Sequence, residues 1–279
     1  MVKEAQIIQW RGTPGVGDAM QIINVALRWS FANRQKVILE IHWEHGPNFL
    51  YHPDDPETII QRTDWIYKKY HQHERIDLVH VYNSEMFKYK FWDLNKVRVN
   101  FVNRNIEDTA ERTGRTGAWY NPGWLFAAKE FKTAKPKKIV VFNSSKNAEP
   151  PRRWKRFVTD EEWSNLIKKM RDEWEYNVIE LTYRHPIETA YRQIQNCDAV
   201  ISYDGMWHWI ARNFCKPMLI PSYEGITSYA TPNALKAKDS KTFHDWLKSK
   251  EHFEKDTFPR MQERADELYN KTVKEIKYV

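Results

Sequence analysis

Short apolar runs alternate with helix-length amphipathic stretches, twice over, along this chain. That alternation constrains the fold more than any other feature of the sequence. Residues 6–10, 36–43, 77–82 and 97–102 read as strands, with helices predicted over 18–31 and 57–71. A second series places strands at 139–143, 177–181, 199–203 and 218–221, with helices over 159–174, 186–196 and 207–214. Met20, Ile23, Leu27 and Phe31 recur at helical spacing, Pro56 suits the opening of a helix, and Thr159 with Glu162 has the spacing of a capping box. Strands alternating with helices predict an α/β protein built from parallel sheets flanked by helices. Two Rossmann-like domains are expected, over 1–132 and 133–252, joined near the Lys135-Pro136-Lys137-Lys138 run. Residues 253–279 are expected to form a C-terminal helix that packs back on the N-terminal domain, and 103–135 to be loops with a short helix.

Composition narrows the function classes. A chain of 279 residues buries an ample core without disulfide or metal staples. Its two cysteines, Cys197 and Cys215, exclude a disulfide framework and a four-cysteine zinc site. No apolar run approaches the ~20 residues that span a bilayer, and the opening residues lack a signal-peptide pattern. A cytoplasmic monomer with no membrane partner is therefore expected. Lys and Arg outnumber Asp and Glu by 44 to 37, a net charge of +7 that favours polyanionic partners. The chain also carries 13 Trp, 14 Tyr and 13 Phe, several beside basic residues, as in Trp10-Arg11 and Arg152-Arg153-Trp154-Lys155-Arg156. Such pairs suit phosphates flanked by bases or sugars, through charge and stacking.

Three segments could carry chemistry. Gly12-Thr-Pro-Gly15-Val-Gly17-Asp18 lies between a predicted strand and a predicted helix, where glycines let the backbone approach a ligand. It lacks the Gly-Lys-Ser/Thr of a P-loop and the third glycine of a dinucleotide fingerprint. Asp18 fits two roles there: an N-cap, or a general base at the carboxyl end of the first strand. The second segment, Ser144-Ser-Lys146-Asn-Ala-Glu-Pro-Pro-Arg152-Arg153-Trp-Lys-Arg156, follows a strand and precedes the capped helix. Its hydroxyls and cations suit a diphosphate, and a solvated basic loop is the competing reading. The third, Tyr203-Asp204-Gly205-Met206-Trp207-His208, is a strand-to-helix turn whose glycine and helix N-terminus suit a diphosphate. His208 there is either a ligand contact or a packed helical histidine.

Together these segments resemble the GT-B glycosyltransferases of the heptosyltransferase type. The residues that carry the resemblance are Gly15-Val-Gly17-Asp18, Arg156 ahead of Asp160-Glu-Glu-Trp163, Gly205-Met206-Trp-His208-Trp-Ile-Ala211, and Lys216-Pro217. Aligned on Gly205 and His208, Tyr203 stands where that family has Asp, and Asp204 takes the place of its hydroxyl residue. The resemblance implies that Asp18 is the catalytic base. It implies a nucleotide-sugar, expected to be a UDP-sugar, held by Ser144, Lys146, Arg153, Arg156, Asp204, Gly205, Met206 and His208. Gly15 and Gly17 would shape the acceptor loop. Cations and helix dipoles would stabilise the leaving diphosphate, so neither a metal nor a resident cofactor is expected.

The small, basic, Trp-rich character also resembles phage transferases that add sugar to 5-hydroxymethylcytosine in DNA, which would act in the host cytoplasm. Double-stranded DNA is the partner this implies, with Arg11, Arg112, Arg115 and Trp119 as contacts beside Arg28, Arg34, Arg104 and Trp124. A bacterial envelope saccharide as acceptor, and a non-catalytic nucleic-acid-binding module, are the alternative readings.

Overall fold

The structure, a computed structural model, describes residues 5–12, 23, 26–27, 30, 33–44, 56–72, 74–83, 98–102, 135–142, 158–182, 185–202, 206–221 and 234–277. The chain divides into two units, Met1–Leu125 with Lys277–Val279, and Phe126–Ile276. Each unit contains its own sheet.

In the first unit the sheet order is β3-β2-β1-β4, from β1 (Gln6–Gly12), β2 (Val37–Glu44), β3 (Ile76–Asn83) and β4 (Arg98–Val102). β1, β2 and β3 run parallel. β4 runs antiparallel to β1, with Ile7 opposite Val102 and Arg11 opposite Arg98. The expected parallel sheet is present in β1, β2 and β3, and β4 adds one antiparallel strand where the chain returns to the far side of β1 in the opposite direction. Val37, Leu39 and Ile41 alternate into the core as a half-covered strand requires. Ile23, Ala26, Leu27 and Ser30 are helical and fully buried, the i, i+3, i+4, i+7 face expected of the first helix. Helix α1 (Pro56–Ile66) continues through a wider turn over Tyr67–His71. Its Asp64 Oδ1 lies 2.7 Å from His80 Nε2, and Tyr67 Oη donates to Ile76 O at 2.6 Å, so helix and edge strand are tied together.

The second sheet has the order β6-β5-β7-β8-β9 and is parallel throughout. Its strands are β5 (Lys138–Phe142), β6 (Asn177–Leu181), β7 (Ala199–Ser202), β8 (Met218–Ile220) and β9 (Ala234–Lys236). The inner strands β5, β7 and β8 are nearly continuous apolar runs, as strands covered on both faces must be. The edge strand β6 is less covered, with Asn177 and Glu180 exposed beside buried Val178 and Leu181. Between the strands lie α2 (Asp160–Asp172), α3 (Ile187–Gln195) and α4 (Met206–Asn213). After β9 come α5 (Ser240–Trp246) and a C-terminal helix, α6, which runs from Lys250–His252 through a wider turn at Phe253–Thr257 into Phe258–Lys277.

Large side chains fill the interior on one side of this sheet. Ile139, Val141, Ala199, Ile201 and Leu219 form one cluster with Trp163, Met170, Trp174, Phe243, Phe253, Phe258 and Met261. Trp163 stacks on Phe243 with ring centroids 6.0 Å apart. Part of the tryptophan excess is thus core, where aromatic rings bury most area. Phe253, Phe258 and Met261 open the segment expected to return to the N-terminal domain, and all three belong to this core of the second unit. Arg264 Nη1 also donates to Ala234 O of β9 at 3.1 Å.

Two polar devices hold the helices of this unit in place. The capping box of α2 is present in full: Thr159 N donates to Glu162 Oε2 at 2.7 Å, and Glu162 N donates to Thr159 Oγ1 at 3.2 Å. Lys216, nearly completely buried, donates its ammonium to Gln195 O at 2.6 Å and Cys197 O at 2.8 Å. It thereby satisfies carbonyls at the C-terminus of α3, where a cation is favoured. Both cysteines are free and buried. Burial pushes the Cys197 thiol up to about 11 and the Cys215 thiol up to about 12.

Two predictions follow from these devices. Lys216→Met keeps the apolar volume but strands two buried carbonyls, so the urea midpoint should fall by an amount worth about 1–3 kcal/mol. An unchanged midpoint would reject the capping role. The Thr159 N–H, joined by the Thr159 hydroxyl and His244, holds the Glu162 carboxyl below its ordinary 4.5. A lowered folded value stabilises above 4.5 and is lost as pH falls through that lowered value. Glu162→Gln should therefore be less stable than wild type at neutral pH, with the gap closing on acidification. A gap that does not change with pH would show that the ionised carboxylate contributes nothing.

Candidate functional site

The winding of the second sheet determines where a ligand can sit. The chain passes from β5 through α2 to β6, then α3 carries it back past β5 to β7. The direction of winding reverses between β5 and β7. In open parallel sheets, ligands bind outside the carboxyl ends of the strands at such a reversal, where the loops diverge to either side.

Register makes this rim level. Phe142, the last residue of β5, is the pairing partner of Leu181 at the end of β6 and of Ser202 at the end of β7. Three strands therefore stop in one row, and at about 4.8 Å per strand the row spans roughly 10 Å. Residues 143–157 follow the middle strand of the row, 203–205 follow β7 on one side, and Thr182 follows β6 on the other. Below the row, Trp207 in the first turn of α4 packs edge-on against Phe142, with centroids 5.3 Å apart. That contact seats the N-terminus of α4 against the end of β5. Four N–H groups without intrahelical partners are a general property of such a terminus.

Of the residues predicted to bind the donor, Met206 is the first residue of α4 and His208 lies in its first turn. His208 is 0% exposed, the outcome that the packed-histidine reading anticipates. Arg212, one turn further along the same helix face, is also buried, and burial pushes its guanidinium down to about 10. Ser144, Lys146, Arg153, Arg156, Asp204 and Gly205 lie outside the described residues, in the stretches of sequence that directly follow β5 and β7. In the first unit, Arg11 is the penultimate residue of β1, paired in register with His42 of β2. Gly15, Gly17, Asp18, Arg112, Arg115 and Trp119 lie outside the described residues. Among the described residues no group of three His, Cys, Asp or Glu could hold a metal ion, and no helix is long and apolar enough to cross a membrane.

The sequence reading passed over one polar pair on this rim. Thr182 follows β6 directly, and its backbone N–H donates to His185 Nδ1 at 2.9 Å. The signal available was position alone: a hydroxyl and an imidazole between a predicted strand and the helix that begins at Pro186.

If the row is the binding edge, adding uridine diphosphate should shift the amide resonances of Thr182, Ser202 and Met206. Those of Lys138 and Asp198, at the opposite ends of the strands, should stay in place. Shifts confined to the second group would place the ligand elsewhere.

No family model matches this chain, and no curated protein matches it. Among solved structures, it is similar to the ADP-heptose LPS heptosyltransferase II of E. coli, at 15% identity and a TM-score of 0.42, with 94% of this chain and 98% of that one covered.

Proposed function

We propose that this protein is a glycosyltransferase. It moves a sugar from a nucleoside-diphosphate sugar to an acceptor hydroxyl, and the acceptor is 5-hydroxymethylcytosine in double-stranded DNA. The observation that supports donor binding best is the level row of strand ends at Leu181, Phe142 and Ser202. The sequence that follows β5 and β7 carries Ser144, Lys146, Arg153, Arg156, Asp204 and Gly205, a set with the hydroxyls, cations and glycine that suit a diphosphate.

In this reading the acceptor oxygen attacks the anomeric carbon while the bond from that carbon to the diphosphate oxygen breaks. Asp18 takes the hydroxyl proton as the new bond forms. The nucleoside diphosphate leaves with its electron pair, and the negative charge it gains is met by Arg153 and Arg156 and by the N-terminal dipole of α4. A DNA acceptor accords with the net charge of +7, because duplex DNA carries one negative charge per ~1.7 Å. Arg11, Arg112 and Arg115 supply cations to the phosphates, and Trp119 an aromatic face for a base.

The test is mass spectrometry of duplexes containing 5-hydroxymethylcytosine, and of matched unmodified duplexes, after incubation with a panel of nucleoside-diphosphate sugars. A sugar mass added only to the modified duplex is expected. Asp18→Asn should lower turnover by ~10²–10⁴-fold while donor affinity holds. Asn caps a helix about as well as Asp, so undiminished turnover would reduce Asp18 to a cap. Transfer to a phosphorylated saccharide, with none to DNA, would replace the acceptor. DNA binding without transfer from any donor would replace the enzyme with a binding module.

A further inference from the structure

Successive residues of a strand turn their N–H and C=O groups to alternate sides, so an edge strand leaves every second residue facing outward. In the second sheet, Asn177 N donates to Lys137 O on the β5 side. Val178, Glu180 and Thr182 therefore face the open side of β6. At the other edge, Ala237 N donates to Ile220 O on the β8 side, so Ala234 and Lys236 face the open side of β9. An open row of this kind is a template for a strand of another chain.

Side chains occupy that template. Arg171 of α2 donates to Val178 O from Nε at 3.3 Å and from Nη2 at 2.9 Å. Its Nη1 lies 2.8 Å from Glu180 Oε1, so an ion pair with the next outward residue holds the guanidinium along the edge. Beyond it, Thr182 N donates to His185 Nδ1 at 2.9 Å, and Thr182 O accepts from His185 N at 3.1 Å. The first and last of the three outward residues are thus engaged. An incoming strand cannot form two consecutive pairs without displacing Arg171 or His185. The same device recurs at β9, where Arg264 Nη1 of α6 donates to Ala234 O at 3.1 Å. It recurs in the first sheet, where Arg75 O accepts from Val37 N on the β2 side and Tyr67 Oη donates to Ile76 O on the open side of β3. In all three strands the first outward carbonyl is the one taken.

We infer that Arg171 and His185 guard the β6 edge, and that the association they exclude is pairing with β6 of a second copy of this chain. The strand suits itself as a partner. Val178 and Ile179 favour extended backbone, and Glu180 is the one charged residue of Asn177–Leu181. With a two-fold axis at Ile179, Glu180 of each copy stands opposite Val178 of the other, so like charges do not meet. Such pairing closes at two copies, because Arg264 engages the remaining edge of the sheet at β9. The inference is independent of the function proposed above. An Arg171 that served stability alone would shift the urea midpoint when replaced and leave the mass of the protein in solution unchanged.

Sedimentation velocity of the full chain over a wide concentration range, with hydrogen exchange at matched concentrations, separates the two. The double variant Arg171→Met, His185→Ala should associate to twice its monomer mass as concentration rises, over a range in which wild type does not. The Val178 and Glu180 amides, outward in the single chain, should then exchange at least roughly tenfold more slowly, while Asn177 and Ile179 keep their wild-type rates. Arg171→Lys retains the charge but loses the fork that spans carbonyl and carboxylate, and should associate more weakly in the same way. A folded double variant that stays monomeric would overturn the inference, and so would association that leaves the Val178 and Glu180 amides unprotected. Should the double variant fail to fold, Arg171→Lys decides alone: no gain in association over wild type would overturn the guard role.

Discussion

The parallel register that ends β6, β5 and β7 in one row is the constraint on which the rest of the second unit depends. It starts the segments that follow β5, β6 and β7 from the same edge, and leaves the opposite edge to close contacts such as Asp198 Oδ2 accepting from Lys137 N and Lys138 N. A slip of one residue along β5 would turn Val140 and Phe142 toward the Trp163 cluster and Ile139 and Val141 away from it. Burial on both faces therefore protects the row, and packing energy preserves the geometry of an edge that contributes little to it.

The polar groups that remain inside serve the same end. Lys216 is a charge taken out of water, a costly placement, and its two short bonds to the end of α3 offset that cost. It joins the segment after α4 to the segment before β7. On the other face, Tyr176 Oη lies 3.1 Å from Glu254 Oε1, so the wider turn in α6 is tied to the residue preceding β6. Helices on both sides are thus anchored near the amino ends of the strands, away from the row of carboxyl ends.

Most of the second unit was legible in the sequence, for physical reasons that differ from element to element. β5, β7 and β8 were read from continuous apolar runs, and α2 from its capping box and the Trp163, Leu166, Ile167, Met170 spacing. β9 was missed because three residues, Ala234–Lys236, have no periodicity to detect. β4 was read as a strand, at 97–102, but not its antiparallel direction, because direction is decided by the partner and leaves no mark on the strand itself. Helix ends were hard to place where left-handed backbone falls on Arg34, Glu175 and Cys215, with φ of 50°, 60° and 49°, and not on glycine. The segments carrying Ser144, Arg156 and Gly205 drew the phosphate reading because hydroxyls, cations and a glycine concentrate there in the sequence. The Thr182–His185 contact was not, since it comes from a backbone N–H that only the fold aims at the ring.

The two thiols have a practical consequence. Cys197 and Cys215 sit in the interior with burial holding both in the unreactive protonated form, and Cys197 Sγ donates to Ile194 O at 3.1 Å. Only a thiolate attacks an alkylating reagent, so a thiol held in this way reacts only when the surrounding structure opens. Their alkylation rate is a built-in clock of opening in the second unit, with one hand at the end of α3 and the other at the end of α4.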